Sequence, residues 1–261
     1  MLLSHILDRV TTTPAGAWSA PVPDDWMQGR SVYGGLQSAV ALRAMRSLVP
    51  ADVPLRVLQT TFVAPVAAGT AQGTAAVLRT GKNVTHVEAR LLDGGGTAAI
   101  VVGIFGRARP SQVEILPRLA PPDPGPIIDF PKNVPRLNFA QHFSQRWLAG
   151  DLPFTRSRRT DAFIQVGIKD TGPTRDEHVV AIADAVPPIA LSFLDGPAPG
   201  SSLTWTIEMV SDRLDHLPLE GWILRSELTA ARDGYTSQSV SVCDPSGLVV
   251  ALSRQSMVVF G

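Results

Sequence analysis

One order of secondary-structure signals is written twice along the chain, and this repeat constrains the fold more than any other feature. Each half has a stretch of good helix formers followed by four β-patterned runs. In the first half these lie at 33–48 and at 55–64, 70–79, 83–93 and 97–108. In the second half they lie at 179–194 and at 202–213, 222–232, 235–243 and 248–260. The repeat predicts a duplicated unit.

The spacing within the two halves supports the same conclusion. From helix start to the first strand, counted to residues 56 and 202, is 23 residues in both halves (33 to 56 and 179 to 202). Turn-forming pairs such as Asp233-Gly234 separate the β-patterned runs. Pro187 and Pro188 interrupt the second helical stretch. Because an interior proline removes a helical hydrogen bond, we expect that helix to be kinked or to begin late.

A helix followed by antiparallel strands in each half predicts the α+β class. We expect each helix to be wrapped by a curved antiparallel sheet, with two separate cores and with the two sheets joined edge to edge. The predicted domains are an N-terminal unit at 1–116, a proline-rich linker at 117–135 and a C-terminal unit at 136–261.

Charge and hydropathy exclude several classes of protein. Lys and Arg number 23, as do Asp and Glu, so the formal net charge is zero and no basic surface for nucleic acid is expected. The first ten residues are too polar for a signal peptide, and no apolar run reaches the ~18–20 residues of a membrane helix. We therefore expect a soluble cytoplasmic protein, for which a homodimer or a higher homo-oligomer is left open.

Few residues suggest a metal or a cofactor. Cys243 is the single cysteine, and the five histidines are scattered without ligand spacing, so neither a metal site nor a cofactor is expected. The tight basic cluster formed by Arg156, Arg158 and Arg159 has two interpretations. It is either a solvated loop or a binding site for phosphates such as those of coenzyme A.

Four segments form a distinctive combination: the Gly-Gly helix start in 32–37, the strand at 61–65, the turn at 80–83 and the last strand at 248–251 with Gln255 after it. Together they resemble the thioesterase II (acyl-CoA thioesterase) family. The resemblance implies a tandem, or double, hot-dog fold and hydrolysis of an acyl-CoA substrate. It also implies that Asp184, Thr204 and Gln255 of the second unit hold and activate the attacking water. Some relatives carry a histidine where this chain has Arg56 and Gln59, which leaves a histidine-dependent step unsupported.

The residues themselves support these roles to different degrees. Asp184 is the one carboxylate between 179 and 194, so burial should raise its pKa toward the range of a general base, unless it serves as a helix cap. Gln255 shares its strand parity with apolar residues and could orient water, or be a satisfied core or edge glutamine. Thr204 has the parity of a solvent-facing residue. Gly34 and Gly35 could direct amides at an oxyanion or simply form a tight turn.

Three functions remain open from the sequence. The first is acyl-CoA hydrolysis at a single site per chain, because the first half lacks counterparts of the three polar residues. The second is an enoyl-CoA hydratase, whose usual Asp–His pair has no histidine near either helix. The third is a non-catalytic acyl-CoA binder.

Overall fold

The computed structural model describes residues 1–120, 122, 128–129 and 137–260. Three α-helices lie in this part of the chain: α1 (Leu3–Leu7), α2 (Gly34–Arg46) and α3 (Asp176–Ala183). Short 3-10 helices span Asp24–Trp26, Asn138–His142 and Ile189–Phe193. The strands are β1 (Thr11–Thr12), β2 (Ala17–Val22), β3 (Met27–Gln28), β4 (Ser31–Val32), β5 (Leu55–Phe62), β6 (Gly69–Thr80), β7 (Val84–Asp93), β8 (Gly96–Gly106), β9 (Ile128–Asp129), β10 (Phe143–Ala149), β11 (Asp161–Ile168), β12 (Gly200–Met209), β13 (Trp222–Arg232), β14 (Tyr235–Cys243) and β15 (Val249–Val259).

Thirteen of these strands form one sheet in which neighbouring strands pair antiparallel, and β3 and β4 form a separate hairpin. Strands β5 and β12 join the two halves, with Thr61 opposite Thr204. Outward from this junction the order is β5-β8-β7-β6-β2 on one side and β12-β15-β14-β13-β11 on the other. The strand order is therefore duplicated, and the predicted α+β class with sheets joined edge to edge is confirmed.

The turn chemistry read from the sequence explains the strand boundaries. Strands β13 and β14 span the residues that the sequence predicts, and Asp233 and Gly234 connect them with φ angles of 53° and 79°. Two consecutive positive φ angles are those of a type I′ turn, whose twist matches that of the flanking strands. The signals missed β10 and β11, the strands that precede α3.

The second helix differs from the expectation. Helix α3 begins at Asp176, earlier than predicted, and ends at Ala183 instead of continuing to 194. Pro187 lacks the N–H that a continued helix needs and disfavours helical backbone at the residue before it. The chain leaves the helix at Asp184 and forms a 3-10 helix at Ile189–Phe193. Asp184 thus lies at the C-terminal end of a helix, not inside one.

The expectation of two separate cores is wrong. Helix α2 packs on strands β6, β7 and β8 of its own half and also on α3. Since the two helices pack on each other, one continuous cluster of buried apolar side chains extends from α1 through both halves to β15. The sheet junction and this shared core hold the start of α2 close to the end of α3.

The linker predicted at 117–135 lies mostly outside the described residues, so the predicted domain boundaries remain predictions. Its first residues run beside the turn before β15, where Leu119 donates its backbone N–H to the carbonyl of Gly247 at 2.9 Å. None of the helices in the described part of the chain is long and apolar enough to cross a membrane.

Candidate functional site

The site lies where the first turn of α2 meets the last turn of α3. Its centre is Asp184, the C-cap residue of α3, whose side chain is partly buried. One carboxyl oxygen, Oδ1, accepts a hydrogen bond from Nε2 of Gln255 at 3.0 Å, and the carboxyl group also accepts the backbone N–H of Gly35. A residue from each half of the chain therefore binds the same carboxyl group.

Burial dominates the electrostatics of Asp184. Loss of hydration raises the pKa of this carboxyl from its ordinary value of 3.8 to about 7, against the hydrogen bonds from Gln255 and Gly35, which lower it. No cationic side chain in the described part of the chain forms an ion pair with Asp184. The group therefore exchanges a proton near neutrality, which is the property required of a general base.

Two glycines allow α2 to approach this carboxyl group. A Cβ at Gly34 would lie 2.9 Å from Oδ2 of Asp184 and 3.2 Å from the ring of Phe62. A Cβ at Gly35 would lie 2.5 Å from the ring of Tyr33. Because a real Cβ does not come this close to other atoms, both positions require glycine. These distances support close packing at both glycines, and the oxyanion role of Gly34-Gly35 stays a prediction.

Gln255 connects Asp184 to a third polar side chain. It lies on the inner face of β15 with Ala251, Ser253 and Met257, which are all buried. Its Nε2 donates to Asp184 and also lies 2.7 Å from Oγ of Ser202. Asp184, Gln255 and Ser202 therefore form one hydrogen-bonded set contributed by α3, β15 and β12.

Thr204, the residue that the family resemblance indicates, lies outside this hydrogen-bonded set, and its role stays a prediction. Thr204 is exposed on the outer face of β12, opposite the buried Trp205. The register between β12 and β15 shifts between Ser202 and Thr204. This bulge inserts one extra residue, which turns Ser202 to the inner face. Strand parity alone could not reveal Ser202, because parity assumes an unbroken alternation.

The other candidates from the sequence lie apart from this set. Within the described residues no histidine contacts Asp184; His178 of α3 instead binds Asp170, with its Nε2 3.2 Å from Oδ2. The hydratase alternative thus has no Asp–His pair at this position. Of the basic cluster, Arg156 pairs with Asp195 and Arg159 with the half-buried Asp161. Arg156, Arg159 and Asp195 are exposed, which favours a solvated loop. No group of His, Cys, Asp or Glu side chains in the described residues has the arrangement of a metal site.

Both halves match family models. The model described as the acyl-CoA thioesterase N-terminal domain matches residues 22–106, and the one described as the C-terminal domain matches 118–259. Among curated proteins, none matches the chain by sequence.

Solved structures support the same fold. A hot dog fold protein from Alicyclobacillus acidocaldarius has a TM-score of 0.85 at 19% identity, covering 99% of this chain and 98% of its own. The acyl-CoA thioesterase II TesB2 from Mycobacterium marinum has a TM-score of 0.74 at 14% identity, covering 100% of this chain and 97% of its own. The PpsC dehydratase domain from Mycobacterium tuberculosis, solved with C12:1-CoA, has 0.56 at 15% identity, with 96% and 97% covered. At these identities the likeness shows the fold, and the double hot-dog architecture is confirmed.

Proposed function

This chain belongs to the thioesterase II-like family of acyl-CoA thioesterases, and we propose that it hydrolyses an acyl-CoA thioester to the free acid and coenzyme A at Asp184. The observation that carries the proposal is the position of a carboxyl group with a pKa of about 7 against the first turn of a helix. A base and the backbone N–H of Gly34 then face the same reacting carbon.

In the proposed reaction, water is held by the carboxylate of Asp184, the side-chain amide of Gln255 and the hydroxyl of Ser202. Asp184 takes a proton from this water as its oxygen attacks the thioester carbonyl carbon. The resulting oxyanion accepts a hydrogen bond at the start of α2. Gly34 contributes there, because its N–H has no acceptor among the described residues. Collapse of the intermediate breaks the C–S bond, and the departing thiolate takes the proton from Asp184.

The hydrogen-bonded set suits hydrolysis better than binding alone. A non-catalytic binder gains nothing from a carboxyl group that burial keeps near its titration point, since burying it costs free energy. An enzyme can use that cost, because a base with a pKa near the working pH transfers protons efficiently. In this proposal Ser202 supplies the hydroxyl that the family resemblance assigns to Thr204.

The test is thiol release from a panel of acyl-CoA thioesters, from acetyl-CoA to palmitoyl-CoA, by the wild-type chain and by Asp184→Asn. We expect hydrolysis of at least one substrate and a loss of ~10²-fold or more in the variant, in line with the removal of a general base. Asp195→Asn is the matched control, because it neutralises an exposed carboxylate whose partner is Arg156. Wild-type activity in a folded Asp184→Asn variant would refute the role of Asp184. Binding of acyl-CoA without thiol release by the wild type would instead favour the binder.

A further inference from the structure

We propose that Tyr33 is a positioning residue for this site, whose hydroxyl group holds the end of α3 that carries Asp184 against the start of α2. The inference rests on the proposed hydrolysis for its kinetic consequence. The contacts that support it are independent of that reaction.

The first contact joins Tyr33 to α3. Its hydroxyl donates a buried hydrogen bond of 2.6 Å to the carbonyl of Ala181, 148 positions along the chain and three residues before Asp184. The last carbonyls of a helix lack a partner within the helix. The N–H of Ala185, which would serve Ala181 in a continued helix, binds the carbonyl of Ile182 instead. Tyr33 thus supplies the partner that the end of α3 lacks.

The second set of contacts joins the same residue to α2. Tyr33 is the N-cap residue, and its carbonyl accepts the N–H groups of Leu36 and Gln37, each at 3.1 Å. Its own N–H donates to the carbonyl of Trp26 at 3.0 Å. The backbone of Tyr33 therefore fixes the turn from which Gly35 donates to Asp184, while its side chain fixes the turn that bears Asp184.

The ring of Tyr33 has little freedom to move. It stacks on Phe139 with 4.3 Å between ring centroids and 3° between planes, and it meets Phe143 edge-on at 5.7 Å. It also fills the space above Gly35. Burial, and then the charge of Asp184, raise the pKa of Tyr33 well above its ordinary value, so the hydroxyl remains a donor. A fixed ring with a permanent donor is suited to setting the distance between two helix ends.

Tyr33→Phe removes the hydroxyl and keeps the ring. The loss of one buried hydrogen bond that holds the site together should lower kcat by ~5–10-fold with little change in KM. A weaker bond from Gly35 to Asp184 should also move the acid limb of the kcat/KM profile to higher pH, because that bond lowers the pKa of Asp184. A residue that only stabilises the fold would not move this limb.

Thr174→Val is the matched control. Thr174 is buried, and its hydroxyl donates to the carbonyl of Leu217 at 2.7 Å, near the opposite end of α3. We expect this variant to lose a similar amount of thermal stability while kcat and the pH profile stay at wild-type values. Wild-type kinetics in Tyr33→Phe, or an equal loss of kcat in Thr174→Val, would overturn the proposal.

A measurement on the native side chain covers the case in which Tyr33→Phe does not fold. The chain has two tyrosines, and Tyr235 is exposed, so Tyr235→Phe labelled with 3-fluorotyrosine carries a single probe at Tyr33. We expect its ¹⁹F resonance to titrate with a midpoint near pH 7 and to lose this titration in Asp184→Asn. A resonance that does not respond to Asp184 would overturn the coupling. This result does not depend on hydrolysis, so it separates failure of this inference from failure of the proposed function.

Discussion

Gln255→Met is the substitution that tests the electrostatics of the site most directly. The amide of Gln255 donates to Asp184, and this bond lowers the pKa of the carboxyl group while burial raises it to about 7. Methionine has a similar length and no donor. Removing the bond therefore leaves the carboxylate less stabilised, and its pKa must rise.

The size of the effect follows from the bond that is lost. A hydrogen bond to a charged group contributes about 1.5–3 kcal/mol, and one pKa unit corresponds to about 1.4 kcal/mol, so the pKa should rise by about one to two units. At pH 7 the ionised fraction of Asp184 would then fall from about half to between roughly a tenth and a hundredth. Ionisation alone should lower the rate at neutral pH by ~5–50-fold.

The assay is the pH dependence of kcat/KM for thiol release, measured from about pH 5 to pH 10. We expect the acid limb, near pH 7 in the wild type, to move to about pH 8–9 in the variant. Part of the lost rate should return at high pH, and the remaining deficit reports the orienting role of the amide. Gln59→Met removes an exposed amide from the outer face of β5 and should leave the profile unchanged. An acid limb that stays in place, or moves down, would refute the reasoning.

Three further predictions follow from the same contacts. Above pH 7, Asp184→Asn should have a free energy of unfolding higher than that of the wild type by at most ~4 kcal/mol, and below about pH 4 the two should be equal, as measured by urea titrations. The reason is that the wild type loses the stability of its protonated carboxyl group as the pH rises through the folded pKa of Asp184, whereas the variant has no such group. Gly34→Ala should lower kcat by ~10-fold or more by displacing the carboxyl group, whereas Gly196→Ala, where a Cβ meets nothing within 4 Å, should not. Calorimetric titration with a non-hydrolysable acyl-CoA analogue should give one ligand per chain. Two equivalent sites per chain would contradict a single active site.

Much of the fold can be predicted from the sequence, because turn residues and apolar periodicity mark most of its strands. The Asp233-Gly234 pair fixed one hairpin, and alternating apolar residues marked β13 and β14 correctly. The end of α3 was misplaced, although the prolines that stop it were visible. Strands β10 and β11 were missed, and the shared core depends on packing between distant segments, which no local pattern reports.

Only part of the candidate site can be predicted from the sequence. Asp184 and Gln255 stand out because polar side chains among apolar neighbours need partners, and the structure brings these two together. Ser202 depends on a bulge that reverses strand parity, which the sequence does not signal. Tyr33 has no anomalous sequence context, since a buried tyrosine is ordinary in a core. Its relevance comes from a partner 148 positions away.

The two ends of the helix pair explain why a duplicated fold would support one reaction centre. Helices α2 and α3 run antiparallel, so the start of each lies near the end of the other. At one end Gly34 leaves room for the carboxyl group of Asp184, which forms no ion pair with any residue that the structure describes. At the other end Asp176, the first residue of α3, forms an ion pair with Arg46, the last residue of α2. Arg46 also donates to the carbonyl of Val53 at 2.6 Å.

The carboxylates at the two ends of the helix pair have different partners. Asp176 has the guanidinium of Arg46 beside it, whereas the hydrogen-bond donors to Asp184 among the described residues are neutral and its pKa is about 7. A cavity of about 870 Å³ opens beside the second end, but its lining includes Arg46, Asp176 and the ion-paired Arg107 and Asp52. The duplicated architecture thus offers two equivalent places, and we propose that the carboxyl group with neutral hydrogen-bond donors, Asp184, is the one that takes a proton from water.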